Sequence, residues 1–252
     1  MMKEKVKASL YPLSFGLIVL LIWWIVCMME LAPTYMLPSP SEVLMSLFEN
    51  RNILIGHAAI SLQEAGFGLG LSIITSFFLA VTMDRFTLFR RFIYPVVVLT
   101  QTIPVIAIAP LLVLWLGYGM LPKVILIFIV CFFPLTTGIL TGLSSVDPDQ
   151  IALFESMGAS HFEILKEVKI PLALPNFFSA LRVAVAYAIV GAVIAEWLGG
   201  SGGLGVYMTR VRKSYAYDDM FAVIFLVSVI SLILIKGIDV LERKVMPWKR
   251  RK

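Results

Sequence analysis

The chain has 252 residues, of which 60% are hydrophobic and 15% are charged. Soluble domains contain about 25% charged residues, so this composition excludes an ordinary soluble fold and favours a membrane protein. The net charge of +5 is compatible with nucleic-acid binding. The positions of the basic residues favour membrane topology instead, and we expect no nucleic-acid partner.

Six segments are apolar and long enough to cross a bilayer, which takes about 20 residues in a helix. They are 12–32, 61–83, 93–117, 121–145, 176–198 and 219–241. The first follows a basic N-terminus but has no small-x-small cleavage site after it, so it is expected to stay as an uncleaved span. Backbone groups in lipid must be paired within a helix. The sequence therefore predicts an all-α integral membrane protein with six transmembrane helices in a single domain, 1–252.

Basic residues divide unequally between the two sides of these spans. Fourteen lie before the first span, between the second and third, between the fourth and fifth, and after the sixth. Five lie on the other side: Arg51, Lys123, Arg210, Arg212 and Lys213. Because Lys and Arg mark the cytosolic side, we expect a multi-pass protein of the cell (inner) membrane with both termini cytosolic. The terminal KRRK would also face anionic membrane lipid.

A short helix is expected in the outer segment 33–60. The stretch LPSPSEVL begins it, with Ser39 or Ser41 as the N-terminal cap.

Ionisable residues inside the spans are few. Glu64, Arg182, Glu196, Lys236 and Asp239 all lie near predicted span ends, where we expect them to reach an interface. A proton- or sodium-coupled carrier usually needs such a group deep in the membrane, so this class is disfavoured.

Polar residues beside prolines are the candidates for a solute pathway. Pro104 and Pro110 lie in the third span and Pro134 in the fourth, and proline bends membrane helices and frees carbonyl groups. The candidates are Gln101, Thr102, Thr136, Thr137 and Glu196. For each of them helix packing is an alternative role, as it is for the glycines Gly66, Gly68 and Gly70.

Motifs for catalysis and cofactor binding do not occur in their required contexts. GSGGLG at 200–205 matches G-x-G-x-x-G, but a dinucleotide site needs a preceding strand in a soluble unit, so a flexible turn is expected. There is no P-loop, no H-E-x-x-H and no clustered cysteine pattern. We therefore expect no enzyme, no cofactor and no metal site.

The loop 146–175 is unusually polar for its position between two spans. Asp147 is expected to cap a helix that starts at Pro148, with Gln150 completing a capping box. The small residues at 158–160 predict a bend, and Pro171 and Pro175 are expected to stop the helix before the fifth span. A helix on the lipid surface is one interpretation. The balanced charges and flanking aromatic residues favour docking into a groove of a partner protein.

This loop resembles the cytosolic loop of binding-protein-dependent ABC importer permeases, whose pattern is Glu-Ala-Ala, three residues, Gly, nine residues, Ile-x-Leu-Pro. Gly158 matches the glycine, and residues 168–171, VKIP, match the end of the pattern. The Glu-Ala-Ala positions fall on residues 152–154, so the acidic start is absent and Glu155 follows one residue later. By this resemblance the ATPase-coupling residues are Phe154, Glu155, Gly158, Ala159, Ser160, Phe162 and Pro171.

Other stretches resemble the same family, in the branch with nitrate, sulfonate, taurine and thiamine-precursor permeases. They are LPSPSEV, TQTIPVIAIAPLLVLWLGYG and AEWLGGSGGLGVYM. The resemblance implies the type I importer permease fold and a role as the subunit that forms the translocation pathway for a small solute. It also implies two cytosolic ATP-binding subunits, an extracytoplasmic substrate-binding protein and a permease homodimer.

The stretches AEWLGG, GLGVYM and KSYAYDDMFAVI resemble permeases for the thiamine pyrimidine precursor, with sulfonate, taurine or nitrate as the alternative substrates. A secondary carrier and an integral-membrane enzyme are the alternatives from other classes. A carrier would need deep carboxylates and paired repeats, and an enzyme would need a cluster of catalytic polar groups.

Overall fold

The computed structural model describes residues 2–31, 33 and 36–248, and in these residues helices account for nearly all of the backbone. The helices are α1 Met2–Met28, α2 Pro40–Glu49, α3 Arg51–Arg85, α4 Thr87–Thr102, α5 Val105–Leu116, α6 Met120–Ser144, α7 Pro148–Ser156, α8 His161–Ile164, α9 Ile170–Leu198, α10 Leu204–Lys213 and α11 Tyr217–Val245. A π turn, Leu165–Lys169, joins α8 to α9. No β-strand occurs in the described ranges, which confirms the all-α prediction.

Four helical segments are long and apolar enough to cross a membrane: α3, α6, the continuous segment His161–Leu198 and α11. A fifth crossing is the pair α4 and α5, if the two are counted as one broken span. The apolar part of α1 described here, Ser14–Met28, is shorter than a full span. The predicted count of six therefore stays a prediction, whereas the positions of the second, fourth, fifth and sixth spans are confirmed.

The third predicted span, 93–117, is not one bent helix. It breaks between α4 and α5, and the two axes differ by 99°. A proline disfavours helical geometry in the residue before it, and Ile103, which precedes Pro104, is extended at φ −75° and ψ 122°. The prediction of a single bent helix was wrong because it allowed Pro104 to bend the helix but not to end it.

The broken pair still connects the two ends of the helix bundle. At its start, Arg90 Nη1 donates to Ser144 Oγ at the last residue of α6, over 3.2 Å. After its end, Tyr118 lies against Gly199, which follows the last residue of α9. The contacts Glu64–Lys123, Ser72–Phe128 and Ser76–Phe132 rise in number together, so α3 and α6 run in the same direction. A connection of this length is therefore required between them.

The centre of the bundle is the packing of α6 against α3 and α9. Gly68 lies so close to Ile127 that an added Cβ would approach the Ile127 Cβ to 2.5 Å, and a Cβ on Gly142 would lie 2.8 Å from the Ala173 Cα. Small residues of this kind let membrane helices approach closely. The Ser72 and Ser76 hydroxyls donate across the same interface, to Phe128 O and Phe132 O. Packing is thus the role of Gly68; Gly66 and Gly70 have no neighbour within 4 Å of an added Cβ.

The expectation that Pro171 and Pro175 stop the helix was wrong. Helix runs without interruption from α8 through the π turn into α9, with Pro171 in the first turn of α9 and Pro175 inside it. Proline removes a donor and its ring clashes with the carbonyl four residues earlier. The π turn, whose wider bonding pattern includes Ile170 N–H to Leu165 O, precedes Pro171, and such local adjustments let membrane helices accept proline.

Candidate functional site

Residues 147–164, named here the knob, form a helix–turn–helix at one end of the bundle. Asp147 caps α7 by accepting from Asp149 N–H at 2.9 Å, so the predicted cap is confirmed, although the bond is made with Asp149 rather than with Gln150. At the other end of α7, Gly158 has φ +84°, and the N–H groups of Gly158 and Ala159 donate to Glu155 O and Phe154 O. This is a Schellman motif, which favours glycine at its left-handed position.

The second helix of the knob starts with a capping box. Ser160 Oγ accepts from Glu163 N–H, and the Glu163 carboxylate accepts from Ser160 N–H at 2.7 Å. Two opposed end signals thus frame the predicted bend, a glycine that ends α7 and a serine that begins α8. The bend at 158–160 is confirmed, and its cause is local backbone geometry.

The knob presents large apolar side chains to its surroundings. Leu153, Met157 and Phe162 are 59%, 74% and 71% exposed, while Phe154 and Ala159 are half-buried and Glu155, Gly158 and Ser160 are exposed. Clusters of exposed apolar side chains mark interaction surfaces. Pro171 lies apart from this surface, in the first turn of α9.

The knob is connected to the bundle by the π turn. Ile164 and Val168 are buried there, and Lys169 Nζ contacts Asp84 Oδ2 on α3 at 2.8 Å. A cleft of about 420 Å³ separates α7 from the end of α3. The Lys169–Asp84 ion pair is thus the charged link between the knob segment and the long helix α3.

A cavity of about 480 Å³ lies where α4 breaks from α5, against α6 and α9. Its polar lining consists of Thr100, Gln101 and Tyr187, and the other described lining residues are apolar or glycine. Tyr187 is half exposed, at 51%. Small-molecule sites are typically apolar cavities of this size with few polar groups, so this cavity is the candidate solute pathway.

The structure places only one of the five pathway candidates, Gln101, in the lining of this cavity. Thr102 is exposed at the end of α4 and donates to Leu99 O, and Thr137 donates to Phe133 O within α6. Thr136 is fully buried, and its hydroxyl contacts Ser76 Oγ at 2.9 Å between α6 and α3. The fifth, Glu196, lies at the opposite end of the bundle from the knob.

Glu196 belongs to a buried polar cluster at that opposite end. Its Oε1 accepts from Ser61 Oγ and its Oε2 from Gly205 N–H, both at 2.6 Å. Beside it, Lys123 Nζ contacts Glu64 Oε1 at 2.6 Å, with both side chains buried. The expectation that Glu64 and Glu196 reach an interface was wrong, because both are enclosed by protein. An opening of about 710 Å³ lies next to the ion pair.

The glycine-rich segment 199–205 is a turn, as predicted, but it is fixed by hydrogen bonds. Gly203 N–H donates to His57 Nδ1 at 3.0 Å, and Leu204 N–H donates to Ser61 Oγ at 2.9 Å. Gly203 has φ +120°, and a Cβ there would overlap the Glu196 carboxyl group. Close packing on Glu196 therefore requires glycine at positions 203 and 205.

A second polar contact group joins α2 to α10 and α11 near the same end. Asp219 accepts from Ser46 Oγ at 2.6 Å and from Asn50 Nδ2 at 2.8 Å. Burial raises the pKa of Tyr207, and the nearby Asp219 carboxylate raises it further, so this hydroxyl stays protonated. Of the two predicted caps, Ser39 and Ser41, it is Ser39 that caps α2, through a capping box with Glu42.

Sequence patterns missed several polar residues of these sites. Lys123 was noted only as a basic residue on the outer side of the membrane, and Asp84, Tyr187 and Ser61 were not singled out at all. The available signals were the charges of Asp84 and Lys123, each at the edge of an apolar segment. The partners of these residues lie far away in the sequence, so their pairing was not visible.

Comparison with known proteins now defines the family. Residues 72–247 match the family described as "Binding-protein-dependent transport system inner membrane component". The chain belongs to this family. The permease is 35% identical over 251 residues to the formylaminopyrimidine transport permease protein ThiX of Halalkalibacterium halodurans, covering 99% of this chain and 100% of that protein.

A second relative is the taurine transport system permease protein TauC of Escherichia coli, 29% identical over 94% of this chain and 89% of that protein. These relatives place the permease in the branch that its motifs predicted. They are transport components and not enzymes, which confirms the expected class. The permease is thus a multi-pass subunit of an ABC importer in the inner membrane.

Solved structures confirm the type I importer permease fold. A chain of an amino acid ABC transporter crystallised with histidines superposes with a TM-score of 0.67 at 18% identity, covering 79% of the permease and 97% of that chain. The MetNI methionine ABC transporter in an inward-facing form gives a TM-score of 0.62 at 19% identity, covering 74% and 91%.

Proposed function

We propose that the permease forms the pathway for the pyrimidine precursor of thiamine, delivered by a substrate-binding protein. The observation that supports this most is the full-length similarity to ThiX, named as a formylaminopyrimidine permease. The cavity at the α4–α5 break also suits a flat neutral ring, since Tyr187 offers an aromatic face and Gln101 an amide.

A sulfonate such as taurine is the second candidate, because TauC also matches over most of the chain. A sulfonate carries a negative charge, which a buried site usually balances with Arg or Lys. The described lining of the cavity contains neither. This favours the neutral heterocycle.

An uptake experiment distinguishes the two substrates. The permease is reconstituted in proteoliposomes with its ATPase subunits and the binding protein encoded beside it, and accumulation of labelled formylaminopyrimidine is measured. We expect ATP-dependent uptake that unlabelled formylaminopyrimidine suppresses and taurine does not. Suppression by taurine alone would assign the importer to sulfonates.

The proposed assembly contains two copies of this single-domain permease, two cytosolic ATP-binding subunits and an external binding protein. In this assembly the knob is the coupling element that enters a groove of the ATPase, with Phe162 as its most exposed aromatic side chain. The apolar surface of the knob and its position at one end of the bundle support this role. Gln101 lines the pathway in the proposal, with Thr102, Thr136, Thr137 and Glu196 as further candidates.

We propose further that the knob end is cytosolic, with both termini on the same side. The basic residues support this orientation. Cysteines introduced at Ser41 and Ser201 should react with an impermeant reagent added outside intact cells, whereas one at Ser160 should react only after permeabilisation. Labelling of Ser160→Cys from outside would reverse the orientation.

A further inference from the structure

The buried charges beside the glycine loop do not balance. Glu64 and Glu196 are 3% and 1% exposed, and one ammonium group, that of Lys123, is buried with them at 5% exposed. With both carboxyl groups ionised, these three residues would carry a net negative charge. Enclosing an uncompensated charge in protein is costly, so the cluster needs one more positive charge.

The hydrogen bonds within the cluster indicate which atom would bind an additional proton. Both oxygens of Glu196 accept bonds, from Ser61 and Gly205, and Glu64 Oε1 accepts from Lys123. Glu64 Oε2 is fully buried and has no partner among the described residues. Ser61, which donates to Glu196, lies one helical turn before Glu64 on α3, and side chains three apart share one helix face, so the Glu64 and Glu196 carboxyl groups face the same enclosed space. A proton on Glu64 Oε2 would donate to Glu196 and leave all four carboxyl oxygens bonded.

We propose that Glu64 and Glu196 form a proton-binding site, with the proton held between Glu64 Oε2 and the Glu196 carboxylate. Lys123 and the ionised Glu196 then balance, and the cluster is neutral. A proton suits the site better than a metal ion, because metal ions of the oxygen-binding class take about six ligands. No group of three or more His, Cys, Asp or Glu residues that could hold a metal occurs in the described part of the chain.

The groups around the site are consistent with one shared proton. From α6 the cluster faces Lys123, and from α10 it faces the Gly205 N–H. His57 on α3 uses Nδ1 to accept from Gly203 N–H, so this nitrogen carries no proton, and Arg210 is the cation beside His57. The bound proton thus holds α3, α6, α9 and α10 together on the side away from the knob.

The effect of the variant Glu64→Gln on thermal stability shows whether Glu64 is protonated or ionised in the folded protein. A glutamine amide can accept from Lys123 with its oxygen and donate to Glu196 with its nitrogen, so it copies the protonated carboxyl group. The complete transporter is purified, and its thermal midpoint is followed through a fluorescent label on the permease. The wild-type midpoint should fall by about 5 °C between about pH 6 and about pH 9 as the shared proton is lost.

In the Glu64→Gln variant the midpoint should match the wild-type value at the lower pH and show no such fall. If Glu64 were ionised, the variant would instead remove the counterion of Lys123 and lower the midpoint at both pH values, which would overturn the proposal. A wild-type midpoint that does not change with pH would overturn it as well. Glu49→Gln on the exposed side of α2 is the matched control and should behave as wild type.

Infrared spectroscopy of the same samples provides a readout of the proton itself. The wild type at the lower pH should show a carboxylic-acid C=O band that Glu64→Gln lacks. Equal bands in the two proteins would contradict the site.

Discussion

Breaking the ion pair between Lys169 and Asp84 tests most directly how the knob is connected to the bundle. Lys169 Nζ lies 2.8 Å from Asp84 Oδ2, and the two side chains are only 18% and 11% exposed. The variant Lys169→Asp would place two carboxylates at this contact. We expect the knob segment to separate from α3 without loss of the long helices, which are held by their own packing.

The size of the effect follows from the burial of the pair. Exposed ion pairs contribute about 0–1 kcal/mol, and removing one partner of a fully buried pair costs about 3–5 kcal/mol. This pair lies between these limits, so we expect a cost of about 2 kcal/mol. That corresponds to a change of about 30-fold in the population of the attached knob.

The measurement is the amount of solute moved for each ATP hydrolysed by the transporter in proteoliposomes. Lys169→Asp should lower this ratio several-fold while the complex still assembles and hydrolyses ATP. The double variant Asp84→Lys with Lys169→Asp restores opposite charges and should recover most of the ratio. Recovery is the result that a general loss of folding would not produce.

The same π turn supplies a matched control. Lys166 and Glu167 also form an ion pair, at 3.1 Å, but their side chains are 66% and 65% exposed. Reversing the charge at Lys166 should therefore leave the ratio unchanged. A wild-type ratio for Lys169→Asp, or equal losses for Lys169→Asp and Lys166→Asp, would refute the role of the pair as a link.

Three further predictions concern the knob, the cavity and the glycine loop. Gly158→Arg should strongly weaken pull-down of the ATPase subunits, because it adds bulk and charge at a left-handed position. Phe162→Ala should cost about 2 kcal/mol of binding to the ATPase. Wild-type pull-down for both variants would make the knob a lipid-surface helix. Gln101→Leu should reduce uptake without reducing assembly, and unchanged transport kinetics would leave Gln101 a packing role. Gly203→Ala should lower the thermal midpoint of the complex by several degrees, because its Cβ overlaps Glu196; an unchanged midpoint would show that the loop can shift.

Sequence patterns predicted the long helices because hydropathy alone determines them. A stretch of about 20 apolar residues has few alternatives to a helix in lipid, and α6 and α11 lie close to the predicted spans. The bend of the knob was also predictable, since glycine and serine act through bonds to residues within five positions of themselves. These features depend on local chemistry.

The effects of proline were predicted only in part. Pro104 ends α4, whereas Pro171 and Pro175 are accommodated inside a continuous helical segment. A π turn precedes Pro171, whereas the residue before Pro104, Ile103, is extended. A π turn has no recognised sequence pattern, so the sequence could not distinguish the two outcomes.

The polar cluster at the opposite end could not be predicted from local patterns. Ser61 and Glu196 are 135 positions apart, and Glu64 and Lys123 are 59 apart. Each residue alone looked like an interface residue near a helix end. Only the packing of α3, α6 and α9 brings them together and encloses them, and it is this enclosure that makes their charges matter.

The two ends of the permease are connected through the same two helices. Asp84 lies at the C-terminal end of α3 and Glu64 in its N-terminal half, and α9 runs from the π turn that holds Lys169 to Glu196. Both helices pack closely on α6 through small residues, so α3, α6 and α9 are expected to move as one body. The pair α4 and α5 differs, because its break at Pro104 leaves an angle that can change without disrupting a helix. The residues at this break line the cavity. A displacement of the knob would therefore move the rigid helices against the broken pair and change the shape of the cavity.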